Sequence, residues 1–162
     1  LQDYRDLDQQ YDHVVSIEMF EAVGEEWWPT YFAKVNQCLR PGGRAALQVI
    51  TIDEKAFAHY RDNPDFIQLY VFPGGMLPPA PRFHEVAAAA GLQCREQAFF
   101  GEDYALTLRR WFEEVRRSAE IIEALGYSES FLRMWRYYLA YCEVGFRSGR
   151  IDLMQTILER PN

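Results

Sequence analysis

Apolar and polar positions along this chain follow two rhythms. Residues 11–17 read YDHVVSI, where Val14, Val15 and Ile17 form a short apolar run behind a polar, acidic stretch. A run of that length predicts a buried strand of a parallel sheet, and residues 20–24 then form the loop at its carboxyl end. Over residues 25–39, Trp28, Tyr31, Phe32, Val35 and Leu39 recur at helical spacing on one face, and Pro41, Gly42 and Gly43 stop the helix. Residues 44–51, RAALQVIT, read as a second strand. Strand, helix and strand in this order make a right-handed βαβ unit.

The rhythm then breaks. Residues 51–81 carry a charged helix candidate over 56–61, followed by FIQLYVFPGGMLPPAP, whose Pro and Gly cluster forbids a regular element. This stretch is expected to run over the carboxyl ends of the strands, where α/β enzymes place ligands. An alanine-rich helix over 82–90, closed by Gly91, precedes a third strand over 92–100. Two longer helices follow, over 106–125 and 128–148, separated by Gly126. In the first, Leu108, Trp111, Phe112, Val115 and Ile122 share a face. In the second, Phe131, Trp135, Tyr138, Leu139, Cys142 and Phe146 do so, with Ser128 as its N-cap. Residues 151–158 read as a last strand.

Composition narrows the chemistry. The chain has 162 residues, 49% hydrophobic and 25% charged, the balance of a globular protein with a real core. Its net charge of −7 disfavours a nucleic-acid partner. No apolar stretch reaches the roughly 20 residues of a membrane span, and no leader-like start is seen. Cys38, Cys94 and Cys142 have neither disulfide-framework nor metal-ligand spacing. They are read as small buried apolar residues in a reducing, cytoplasmic setting. His13 reads as a strand-edge residue and His84 as helix surface, neither with a partner for a metal. The aromatic content of 15% exceeds what a core of this size asks for and suits a pocket for a lipid or a cation.

Longer strings carry more information. SIEMFEAVG (16–24), WWPTYFAKVNQCLRPGG (27–43), LQDYRDL (1–7), YVFPGGMLP (70–78), FGEDYALTL (100–108) and the helix FLRMWRYYLAYCEVGFRSGRIDLMQ (131–155) occur in order over nearly the whole chain. Together they resemble the cyclopropane fatty acyl phospholipid synthases and the related mycolic acid methyltransferases. The resemblance implies an α/β fold, a partial Rossmann-like class I S-adenosylmethionine-dependent methyltransferase fold with helical additions around a lipid pocket. All 162 residues would be the carboxy-terminal portion of one methyltransferase domain. The strand and glycine-rich loop that open a doubly wound sheet are not found.

The implied reaction transfers a methyl group from S-adenosylmethionine to a cis double bond of an unsaturated phospholipid acyl chain at a membrane surface. Proton loss from the new methyl then closes a cyclopropane ring. A bicarbonate ion is the implied second cofactor. By the resemblance Glu21 holds that ion, Tyr104 reaches it through its hydroxyl, and Ile50 contributes backbone. Two anions side by side would raise a pKa, which suits a base. Phe72 matches an aromatic facing the reacting centre, where a ring face stabilises a cation by roughly 0.5–2 kcal/mol. Asp3 and Tyr4 lie where the adenine is contacted. Each has a blander reading: Glu21 as a helix cap, Tyr104 and Phe72 as packing, Ile50 as core, Asp3 and Tyr4 as a turn.

Gln48 departs from the pattern, standing where a histidine is expected to bind the ion. Glutamine donates a hydrogen bond but does not titrate near neutrality. Gln48 therefore leaves open a methyl or methylene branch in place of a ring. Ala22 likewise replaces a histidine, and the active-site cysteine of the resemblance falls on none of the three present. A non-catalytic interaction module is the other reading, and an unpaired sheet edge would then favour a homo-oligomer. With the glycine-rich loop and the ribose-binding acid unaccounted for, these 162 residues are expected not to bind S-adenosylmethionine usefully. Calorimetric titration checks this: no heat of binding at micromolar ligand is the expected result, and micromolar affinity would refute it.

Overall fold

The computed structural model describes residues 2–162; Leu1, the first residue of the LQDYRDL string, lies outside the described residues. The chain divides into two compact units, one of residues 1–99 with 152–162 and one of Phe100–Ile151.

The first unit holds a sheet ordered β1-β2-β4-β3, from β1 (Tyr11–Ile17), β2 (Leu39–Ile52), β3 (Gln93–Phe99) and β4 (Ile151–Glu159). β1 and β2 pair in parallel, with Val14 opposite Ala45 and Ile17 opposite Gln48. Helix α1 (Trp28–Cys38) makes the crossover. β3 and β4 are antiparallel. β2 and β4 also run oppositely: Gly42 donates to the Arg160 carbonyl at 2.8 Å and Arg160 donates back to Gly43 at 3.0 Å. The sheet is therefore mixed.

The helical stripe expected on α1 is buried: Trp28, Tyr31, Phe32 and Val35 face the core. Leu39 is fully buried too, but as the first residue of β2. The helix ends before the Pro41-Gly42-Gly43 triplet, which sits inside β2 as a bulge. Across it the pairing jumps from Tyr11–Leu39 to His13–Arg44. Glycine is required there, because a Cβ on Gly43 would lie 2.8 Å from the Arg40 carbonyl oxygen and 2.9 Å from that of Asp12.

Phe20 is the centre of the core. It is fully buried, and its ring lies 5.0–5.4 Å from those of Trp28, Tyr31, Phe32 and Phe83. Phe83 comes from α4 (Ala80–Ala89), which begins two residues before the expected start because Pro81 is tolerated in a first turn. The charged helix is α2 (Glu54–Asp62), capped by Asp53. The FIQLYVFPGG stretch does contain one short regular element, α3 (Phe66–Tyr70), opened by a capping box between Asp65 and Gln68 just ahead of the Pro-Gly cluster.

Three expectations are corrected. β1 is not buried: Val15 is 69% and Ile17 63% exposed, because only alternate residues, Val14 and Ser16, face the side covered by α1. Cys94 is exposed on the edge strand β3, whereas Cys38 and Cys142 are buried. His84 is half-buried, bonded to Gln97 Oε1 of β3 at 2.9 Å, and burial pulls its pKa down.

The second unit is helical. α5 (Gly101–Arg117) starts five residues before the expected element, and a break at Ser118 separates it from α6 (Ala119–Ala124). α7 (Glu129–Arg147) is capped by Ser128 as expected, the Phe131 N–H donating to its hydroxyl at 3.1 Å. Ala105 and Leu108 of α5 are buried, as are Leu132, Leu139, Cys142 and Phe146 of α7. A cavity of about 270 Å³ lies among Trp111, Val115, Ile122, Trp135 and Leu139.

Truncating the central ring tests the packing. Phe20→Ala is expected to cost about 3–5 kcal/mol, read as a drop in the urea midpoint at unchanged slope.

Candidate active site

β1 ends in a tight passage. Glu18 follows it with φ of 50°, and among the described residues it is the one non-glycine residue with a left-handed backbone. That conformation costs an ordinary side chain on the order of 1 kcal/mol. A short 3-10 turn, Phe20–Ala22, comes next. Because Phe20 plunges into the core, its neighbour Glu21 is carried inward as well.

The Glu21 carboxyl caps no helix. Its Oε1 accepts from the Ile50 backbone N–H at 2.6 Å, and its Oε2 is buried with no hydrogen-bond partner. Burial pushes its pKa up to about 7, against the pull of the Ile50 N–H and its own N–H, with the Glu18 charge adding to the rise. The Glu21 carbonyl in turn accepts from the Met76 N–H at 2.8 Å. The Gly75 N–H donates to the Phe72 carbonyl at 3.0 Å, and Gln68 Nε2 donates to the Gly75 carbonyl at 3.0 Å. The FPGG turn is thus fastened to the residue that carries the carboxyl, and Phe72 stands 55% exposed on that turn.

Gln48 lies two residues before Ile50 on β2. Its Nε2 donates to Glu18 Oε1 at 2.7 Å, and its Oε1 accepts from Gln155 Nε2 of β4 at 2.8 Å. The Glu18 N–H donates to the Gln48 carbonyl at 2.9 Å. Glu18, Glu21, Gln48, Ile50 and Phe72 therefore gather at the carboxyl ends of β1 and β2. Tyr31 borders the group: its hydroxyl donates to Ser16 Oγ at 2.9 Å, and burial pushes its pKa up to about 12.

Asp3 caps, and Tyr4 begins, a 3-10 turn, Tyr4–Asp6. Arg5 binds both carboxylate oxygens of Asp3, at 3.0 and 2.8 Å, and holds its pKa down at about 2. The Tyr4 ring meets Tyr31 edge-on at 5.6 Å. Tyr104 belongs to the second unit, in the first turn of α5, where its half-buried ring packs on Phe146 at 5.0 Å and Trp111 at 6.1 Å. Among the described residues no group of three or more His, Cys, Asp or Glu could hold a metal.

Sequence reasoning missed Glu18 and Gln155. Glu18 had a local signal, an acid three residues before another in SIEMFE. Gln155 had none, because only strand register brings it beside Gln48.

A parallel βαβ unit continued by an antiparallel strand pair, with acids at the strand ends, defines the half-sheet of a Rossmann-like methyltransferase fold. Residues 1–156 match the family described as Mycolic acid cyclopropane synthetase, and the chain belongs to that family. It is 45% identical over 159 residues to the "Tuberculostearic acid methyltransferase UfaA1" of Mycobacterium tuberculosis, covering 98% of this chain and 37% of that protein. It is 38% identical over 161 residues to the "Cyclopropane-fatty-acyl-phospholipid synthase" of Escherichia coli K12, covering 99% and 40%. The solved structure of mycolic acid cyclopropane synthase CmaA1 complexed with SAH and CTAB superposes with a TM-score of 0.88 at 30% identity, over 96% of this chain and 57% of that one. The chain thus spans about two-fifths of the length of these two curated relatives.

The buried carboxyl makes stability depend on pH. The folded chain keeps the Glu21 proton up to about pH 7, whereas an ordinary glutamate releases it near 4.5. Stability contributed by this group therefore falls as pH rises through that window, by on the order of 3 kcal/mol. In Glu21→Gln that fall is expected to vanish, measured as urea midpoints between pH 5 and pH 8.

Proposed function

We propose that this chain supplies part of the reaction centre of an S-adenosylmethionine-dependent enzyme that methylates the cis double bond of an unsaturated phospholipid acyl chain. The observation that carries the reading is the Glu21 carboxyl: buried, bonded on one oxygen only, next to a second acid and fastened to an exposed aromatic turn. Family membership and likeness to a structure complexed with SAH support the cofactor.

S-adenosylmethionine supplies an electrophilic methyl on a sulfonium. Among this chain's residues, Asp3 and Tyr4 are the candidates to meet its adenine, although Arg5 already occupies both oxygens of Asp3. The alkene π pair forms the new C–CH3 bond as the S–CH3 bond breaks, and the positive charge moves to the neighbouring alkene carbon. Phe72 offers a ring face to that charge. Glu21, with the Glu18 charge beside it, is the proton-accepting group. Loss of a proton from the new methyl, with its C–H pair bonding to the cationic carbon, closes a cyclopropane ring. Migration of a hydrogen before proton loss gives a methylene branch instead.

Bicarbonate fits this half of the site poorly. The Ile50 N–H that the resemblance assigned to the ion is given to Glu21, and both ends of the Gln48 amide are bonded to protein. The proton step is therefore assigned to protein carboxylates. The engaged, non-titrating Gln48 and the 45% identity to a tuberculostearic acid methyltransferase favour the branched product as the second reading. No helix among the described residues is long and apolar enough to cross a membrane. The acyl chain is taken to be presented at a membrane surface, from the cytoplasmic side.

Mass spectrometry of lipids from cells expressing the complete gene tests the reading. Unsaturated acyl chains are expected to gain one CH2. NMR of the purified fatty esters then separates ring from branch. Unchanged lipids, with the protein expressed and folded, would leave an interaction module as the surviving account.

A further inference from the structure

We propose that Gln155 is a positioning residue for the carboxylate pair: by donating to Gln48 Oε1 it holds the Gln48 amide with its donor end on Glu18. The inference rests on the reading above for its catalytic meaning, but its geometry stands independently of any reaction.

A glutamine amide has one accepting end and one donating end. Which end points where is decided by the surrounding network. Here the network permits one polarity. The Gln48 end that faces Glu18 is Nε2, which donates to Glu18 Oε1 at 2.7 Å. The opposite end, Oε1, then needs a donor, and Gln155 Nε2 is 2.8 Å away. Gln155 lies on β4 between buried Met154 and Thr156, so its own side chain emerges on the open face of the sheet. A surface glutamine has no need of a protein partner. This one bonds across to β2.

The result is a polar row crossing three elements, Gln155 on β4, Gln48 on β2 and Glu18 just past β1. It ends on the residue with the strained backbone. Glu18 is tied to Gln48 twice, through its carboxylate and through its own N–H to the Gln48 carbonyl. Without Gln155 the Gln48 amide is held at one end only, because its Oε1 loses the donor on β4.

Reversing the polarity tests this without relying on catalysis. Gln155→Glu keeps the shape but replaces the donor with an acceptor. Gln48 then meets an acceptor at each end, so its one NH2 is shared between Glu18 and the new carboxylate on β4. In NMR spectra of the full chain, the nuclear Overhauser contact from the Gln48 side-chain NH2 to the Glu18 side chain should weaken, and one to the side chain of residue 155 should appear. The unfolding equilibrium constant should rise about tenfold. Adding Glu18→Gln supplies a donor at the other end of the amide, so the double variant should recover most of that loss. Recovery together with the new contact supports the proposal. An unchanged contact, or losses that simply add, would overturn it. Neither readout requires methyl transfer, so lipid analysis failing on the complete gene would sink the enzymatic reading while leaving this outcome intact.

Discussion

Much of the first unit depends on one carboxyl being held where water does not reach it. Glu21 is joined on one oxygen to the second strand, through the Ile50 N–H, and through its carbonyl to the excursion at Met76. A single residue thus ties together the ends of β1 and β2 and the FPGG turn. Burying a carboxyl with one oxygen unpartnered is expensive when charged, and the protein meets that cost by keeping the proton to near neutrality. A carboxyl with a pKa near the working pH is what proton transfer at neutrality requires.

Rigidity comes from the residue next door. Phe20 is clamped by four aromatic rings contributed by α1 and α4. The turn that displays Glu18 and Glu21 therefore has little freedom to relax. This explains how a left-handed glutamate survives there, since a backbone outlier persists only where its surroundings over-determine it.

The elements with strong periodicity were legible from the amino-acid pattern. α1, both strands of the βαβ unit and the Ser128 cap all stand within a few residues of where spacing and turn chemistry placed them. Failures came where a local rule met a tertiary one. The apolar run in β1 suggested two covered faces, but only one face is covered. The Pro41-Gly42-Gly43 triplet was read as a helix stop ahead of a strand starting at residue 44, yet neighbouring strands hold it inside β2 as a bulge. Helical spacing carried on through Ser118, where α5 breaks from α6. In the candidate site, the family resemblance pointed to Glu21, Gln48, Ile50 and Phe72, which do come together. The partner of Gln48 was invisible, because no local pattern encodes which residue of a distant strand will lie alongside it.

The backbone at position 18 has an evolutionary implication. Glycine would satisfy that conformation without penalty, so drift under selection for stability alone pushes toward losing the side chain. Retaining an acid there opposes that drift. Libraries sorted for thermal tolerance and libraries sorted for lipid modification should therefore enrich different residues at this codon, a local stability–activity trade-off.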